Sequence, residues 1–495
     1  MTSVFDVVVV GGGAAGCVVA ARLAERTTAS VLLLEAGPDR RRDLPPGFRN
    51  VWDIVRGQFE WGYSSEPSPA GHVQPARRTR MLGGTSWVTR FTPRGSPADY
   101  DAWASAGNPG WEFSELLPYF IRLEHDLDFG DRAWHGDAGP IPSTRHLDID
   151  PLPIVDATTA ALESRGFEAV ADHNRPGAVG VGRMPMNGLG DSRVTTVDAY
   201  LAPGQTPANL TIRGDAQVDR ILFDGERAGG VRLVDGTEVR AGAVVLSAGV
   251  YGSPAILLRS GIGPPDELCT LGIEVVVDLP AVGSNLADHP AVTVECGVVH
   301  DSLSAPRLHS IATFRSEGRG STESPDLMLW FAEPDAQAGE SAPYDIEVVL
   351  LKPESRGRVS LRSNDPADAP RIELPLVSEQ VDLVRLAEGY RVAADIAGDP
   401  AIRTFCEEGR RITPPTTELR ELIRAELYSI PHVVGTCAMG RNPEGAVVDA
   451  LGRVHGADQL LVIDASIMPD VPSGFTHIPT IMIAERLSEQ LARAL

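Results

Sequence analysis

The chain has 495 residues, 43% of them hydrophobic and 22% charged, which is enough apolar material for two ordinary cores and excludes a disordered or fibrous protein. Its formal net charge of −23 excludes nucleic acid and anionic lipid surfaces as partners. Five cysteines lie scattered without metal-ligand spacing, as buried thiols of a reducing compartment do, and Lys352 is the only lysine among many arginines. The start, "MTSVFDVVVVGGG", has no basic and then apolar leader, and no apolar run reaches the roughly 18 residues that cross a bilayer. A soluble, cytoplasmic protein is expected.

In chain order, Phe5 to Val10 is a β-branched run of the kind found in buried parallel strands. It ends in "GGGAAG", where Gly11, Gly13 and Gly16 take the G-x-G-x-x-G spacing around Ala14 and Ala15, and "CVVAARLAE" follows with helical periodicity. In that spacing the first glycine allows a tight turn, the second lets the backbone approach a pyrophosphate, and the third lets helix pack on strand. The phosphate then sits on the positive end of the helix. A second strand, "VLLLEAG", ends in Glu35 and Ala36, with the acid about 20 residues beyond the glycines, where a carboxylate accepts from a ribose 2′-hydroxyl and repels a 2′-phosphate. FAD or NAD is thus favoured over NADP. Further on, Val244 to Leu246 is another buried-strand run that ends in Ser247, Ala248 and Gly249, and a proline-initiated helix is expected at "SPAILLRS". A second strand returning to small residues beside the dinucleotide makes FAD the leading choice. "DIEVVLLKPESRGRVSLRS" and "PRIELPLV" read as strands joined by turns, and "SEQVDLVRLAEGYRVAADIAGD" as an amphipathic helix.

These stretches resemble the glucose-methanol-choline (GMC) family of flavin oxidoreductases. The resemblance extends in order through "RMLGGTS", "RGSPADYDAW", "GNPGW", "HGDAGPI", "SAGVYGSPAILLRSGIGP", "LPAVGSNLADH", "HVVGTCAMG", "RVHGADQLLVIDASIMP" and "HIPTIMIAERLSEQL". It implies an α/β fold. A Rossmann-like FAD-binding domain is expected from 1–145, 200–295 and 432–495, and a second, α+β substrate domain built on an antiparallel sheet from 146–199 and 296–431. The resemblance also implies that His432 and His477, far apart in sequence, meet over the reactive edge of the flavin. His432 is the expected base and His477 its orienting partner, a neutral imidazole being suited to take a hydroxyl proton near neutral pH. Gly83, Gly84 and Ser86 match a loop along the pyrophosphate and ribityl chain, Val218 a backbone contact to adenine, and Asp464 with Ala465 a strand end beside the flavin. Pro479 and Thr480 begin the last helix, whose N-terminus is expected to face the flavin.

His289 and His455 read as satisfied core histidines, and His135 as a loop residue near the domain junction. After "GGTS" the chain departs from the resemblance: Thr89 stands where relatives have asparagine or histidine, and with Val88 it excludes a histidine attachment, so non-covalent FAD is expected. Trp87 and Arg90 in this loop bear on oxygen access, and Pro431, Phe475 and Ile478 are expected on the pocket side. The function implied is oxidation of a primary alcohol without a metal, with electrons passed to O2 or another acceptor. A sugar or aminosugar hydroxyl fits the composition. A flavin-bound lyase or light-driven decarboxylase on the same fold, or a nicotinamide-dependent dehydrogenase using the first motif alone, are the alternatives.

Overall fold

The computed structural model describes residues 4–53, 57–68, 71–299, 308–332, 342–408 and 416–495. Its first sheet grows from Val4–Val10, which pairs in parallel with Val31–Leu34 on one side and Glu238–Leu246 on the other. Leu210–Arg213 extends the parallel part, and Leu460–Val462 pairs with the carboxyl half of Glu238–Leu246. Arg227–Leu233 and Val218–Asp224 complete the sheet as antiparallel strands. Val7, Val8, Val9 and Leu33 are fully buried, so residues pointing to either face of the sheet lie in the core, which is why these strands carry continuous rather than alternating apolar residues. The helix Ala14–Arg26 packs against the last helix, His477–Ala492.

The second sheet is antiparallel, in the order Glu407–Glu408, Pro290–Val299, Ala342–Leu350, Leu327–Ala332, His309–Phe314, Gly180–Arg183. Side chains alternate between its faces with period two. Leu327, Leu329 and Phe331 join a core with the helix Gln380–Ala397, whereas Met328 and Trp330 join Phe91, Ile311, Val349 and Phe475 on the opposite face. That face meets Phe91 and Phe475, and Phe475 also lines the cleft described below. The strand Pro290–Val299 runs across the expected division between 295 and 296. The antiparallel strands and the helix expected between 345 and 399 form as Ala342–Leu350, Arg358–Ser360, Arg371–Glu373 and Gln380–Ala397.

Two expectations need correction. The helix after Ser247 begins at Gly249, not at Pro254, and carries that proline inside it. Pro254 has no N–H for the carbonyl of Val250, one turn earlier; the Thr436 hydroxyl donates to that oxygen instead, at 2.6 Å. Of the five cysteines, Cys269 is exposed rather than buried. Among the described residues, no helix is long and apolar enough to cross a membrane.

Candidate active site

One cleft is lined both by the first glycine turn, at the strand ends of the first sheet, and by two histidines from later in the chain. Gly11 holds a φ of +97°, open to glycine at little cost, and a Cβ on Gly16 would lie 1.8 Å from the Gly11 carbonyl oxygen. Helix and turn touch at Gly16, as the motif requires. Gly83 and Gly84, both with positive φ, lay the next loop against this turn: the Gly83 N–H donates to Gly12 O at 2.7 Å, and a Cβ on Gly84 would be 2.9 Å from Gly13 Cα. The Ser86 hydroxyl donates to Gly83 O at 2.6 Å and closes the loop.

Glu35 sits at the end of its strand with 6% of its surface exposed, and accepts from the N–H groups of Gly12 and Gly37, each at 2.8 Å. Burial raises its pKa, and the two backbone donors oppose that change. On the other side of the turn, Asp464 accepts from Gly249 N–H at 2.8 Å, the Ser253 hydroxyl at 2.6 Å and Ser466 N–H at 2.8 Å. Its carboxylate is therefore occupied in clamping the Ser247–Gly249 turn to the strand Leu460–Val462.

At the far end, His432 and His477 both line the cleft. Phe475 packs against His432 with ring centres 4.3 Å apart and planes tilted by 45°, and continues into Phe91 and Trp330, each at 5.6 Å. His477 is the first residue of the last helix, so the N-terminal turn of that helix, including Thr480, forms the cleft wall. Its Nε2 is buried without a hydrogen-bond partner among the described residues, and burial, with Arg193 nearby, pushes its pKa down to about 4. Desolvation, then His289 and Arg78, lowers His432 well below the usual imidazole value. Both rings are neutral at pH 7.

The cleft thus collects Gly11, Gly13, Ala14, Ala15, Glu35, Ala36, Gly84, Ser86, Val218, Ala248, Gly249, Asp464, Ala465, Thr480 and the two histidines. Gly16, Gly83 and Pro479 lie behind its wall: Gly16 under Gly11, Gly83 against Trp87 and Val197, and Pro479 buried in the first helical turn. Thr89 and Pro431 line the cleft as well. His455 is a satisfied histidine, its Nε2 2.9 Å from Gly440 O. His289, by contrast, is fully buried, and its Nδ1 lies 3.1 Å from Nδ1 of His432. Reading it as a core residue missed this contact. Its only signal in the sequence was its place in the stretch "LADH". Arg78, also on the cleft wall, carried none.

Residues 5–291 and 353–484 match the amino-terminal and carboxy-terminal models of the GMC oxidoreductases. The chain belongs to the GMC oxidoreductase family, whose members are FAD-binding flavoproteins. It is 34% identical over 528 residues to a 5-(hydroxymethyl)furfural oxidase of Methylovorus sp. (strain MP688), covering 99% of each protein. It is 33% identical over 542 residues to an oxygen-dependent choline dehydrogenase of Ectopseudomonas mendocina (strain ymp), covering 99% of this chain and 94% of that one. Among solved structures, pyridoxine 4-oxidase from Mesorbium loti superposes with a TM-score of 0.89 at 31% identity over 98% of both chains.

The residues present fit the dinucleotide. A Cβ on Gly13 or Gly249 would meet no atom within 4 Å, so both glycines, which line the cleft, leave space on the cleft side that a side chain would fill. Glu35 offers a carboxylate to a ribose, and the helix beginning at Ala14 offers free N–H groups to a pyrophosphate.

Proposed function

We propose that this protein oxidises a primary alcohol to the carbonyl, with His432 and His477 handling the hydroxyl group and FAD held without a covalent bond. The observation that carries the reading is one cleft running from the glycine turn and Glu35 to two neutral histidines. Glu35 and the Gly11–Gly16 turn would hold the adenosine and pyrophosphate, Gly84 and Ser86 the ribityl chain, and Ala465 with the first turn of the last helix the ring. When bound, the flavin supplies the two-electron acceptor that no side chain provides. Thr89 on the cleft wall has no atom suited to a flavin bond of the histidine type.

His432, uncharged and beside the cleft, takes the hydroxyl proton, and His477, with Nε2 unpartnered, hydrogen-bonds the oxygen as charge develops on it. The Phe475 ring against His432 excludes water there and favours a flat, apolar-bodied alcohol over a sugar. That choice accords with relatives named for hydroxymethylfurfural and pyridoxine. O2 or another acceptor then reoxidises the protein.

An oxygen-uptake and dye-reduction screen over aryl alcohols, pyridine methanols, choline, sugars and aminosugars tests this, with the His432→Ala variant alongside. Aryl alcohols are expected to bleach the yellow protein anaerobically, an outcome foreign to a lyase. The variant should lose about 10²–10⁴ in kcat with its flavin still bound. Full turnover in that variant would refute the assignment.

A further inference from the structure

A neutral imidazole has one N–H and one lone pair, and which nitrogen carries which is set by its neighbours. Nε2 of His289 lies 3.2 Å from the carbonyl oxygen of Pro472. A carbonyl only accepts, so Nε2 carries the hydrogen and Nδ1 of His289 carries the lone pair. That lone pair faces Nδ1 of His432 at 3.1 Å, with the two rings perpendicular. Nδ1 of His432 therefore carries its hydrogen and donates it. The remaining nitrogen of His432, Nε2, keeps its lone pair in a side chain that lines the cleft.

We propose that His289 is a positioning residue that sets the tautomer of His432 and so makes Nε2 of His432 the base for the alcohol. This rests on the reading given under Proposed function and decides which histidine of the pair is the base. In the step, the substrate O–H bond breaks and its proton passes to Nε2 of His432, which becomes an imidazolium still bonded to His289. The relay ends there, because Pro472 O cannot take a proton onward.

Three further features hold the arrangement. Asp288 accepts from the backbone N–H of His289 at 2.8 Å and of His432 at 2.7 Å, and from the Ser429 hydroxyl, so one carboxylate fixes both backbones. Burial and the Lys352 ammonium keep His289 neutral, with a pKa pushed down to about 4. A protonated His289 would have no lone pair to offer. Lys352, the chain's single lysine, is itself held at 2.6 Å from Asp470 and 3.4 Å from Asp99.

The test compares His289→Leu, which removes the acceptor, with His289→Asn, whose Oδ1 can stand where Nδ1 stood. It uses holoenzyme with histidines labelled by nitrogen-15. Long-range proton–nitrogen spectra of the wild type should show His432 protonated at Nδ1. The Leu variant should lose that tautomer and about 100-fold in kcat, with KM little changed; the Asn variant should stay within about tenfold of wild type. A wild-type His432 protonated at Nε2 overturns the proposal, as does a Leu variant of normal turnover or an Asn variant as impaired as Leu. If the Leu protein fails to fold, the wild-type spectrum and the Asn variant still decide. A fully active His432→Ala enzyme would instead refute the underlying reading.

Discussion

Two buried histidine neighbourhoods in this molecule do opposite things to the same side chain. His135 has carboxylates at both nitrogens: Glu124 at 2.7 Å and Asp126 at 3.2 Å from Nδ1, and Asp172 at 2.9 Å from Nε2. Burial alone would lower its pKa, but the bonds to Asp172 and Glu124 hold it up at about 9, so it is a cation at neutral pH. Glu124, Asp126 and His135 are spaced like a metal-ligand set, yet Arg145, at 2.6 Å from Asp126 and 2.8 Å from Asp172, joins the protonated imidazole in balancing the acids. At the cleft, the carboxylate of Asp288 is turned onto backbone N–H groups, and His289, His432 and His477 stay uncharged. Burial is common to both places; the orientation of the neighbouring acids decides between a charged and a neutral imidazole.

The contrast can be broken most sharply at Arg145. Replacing it with leucine leaves Asp126 and Asp172 short of countercharge in a buried setting, and should cost about 3–5 kcal/mol of stability in chemical denaturation. A loss below about 1 kcal/mol would show that charge balance does not hold that region together.

A middle-sized effect concerns pH. His135 is raised from 6.5 to about 9, so its contribution is complete below pH 6.5 and disappears as pH rises through 9. His289 and His477 are lowered from 6.5 to about 4, so the unfolded chain binds their protons first and stability falls as pH drops from 6.5 towards 4. A tenfold difference in proton affinity between the folded and unfolded chain is worth about 1.4 kcal/mol. Thermal melts should therefore peak near neutrality. His135→Asn should flatten only the alkaline limb, and persistence of that limb in the variant would assign it to other groups.

The smallest effect on turnover is expected from Lys352→Met, which also takes the countercharge from Asp470 and Asp99 and so costs stability as Arg145→Leu does. Removing the ammonium beside His289 makes that ring easier to protonate, so the acid limb of kcat should move to higher pH while the flavin content stays constant. An unmoved limb would mean that burial alone keeps His289 neutral.

Much of the dinucleotide half was legible in the residues because its signals are local. A β-branched run, three spaced glycines and an acid about 20 residues on each act within one turn or strand. The pair His432 and His477 came from resemblance, since nothing near either residue announces the other. What escaped was non-local. Pro254 looked like a helix start because the Thr436 hydroxyl that lets it sit inside a helix is far away in sequence. His289 and His135 gave no sign of their different fates, because the partners of neither ring are sequence-adjacent.

Glycine spacing and side-chain periodicity act over a few residues, and they were enough to specify a glycine turn between strand and helix, an acidic strand end and two sets of strands. Which histidines carry charge, and which nitrogen of His432 is bare, was settled only when distant parts of the chain came together. Proton affinity depends on desolvation and on atoms within a few ångströms, and here those atoms belong to Pro472, Asp288, Lys352 and Asp172, which folding alone brings to the rings.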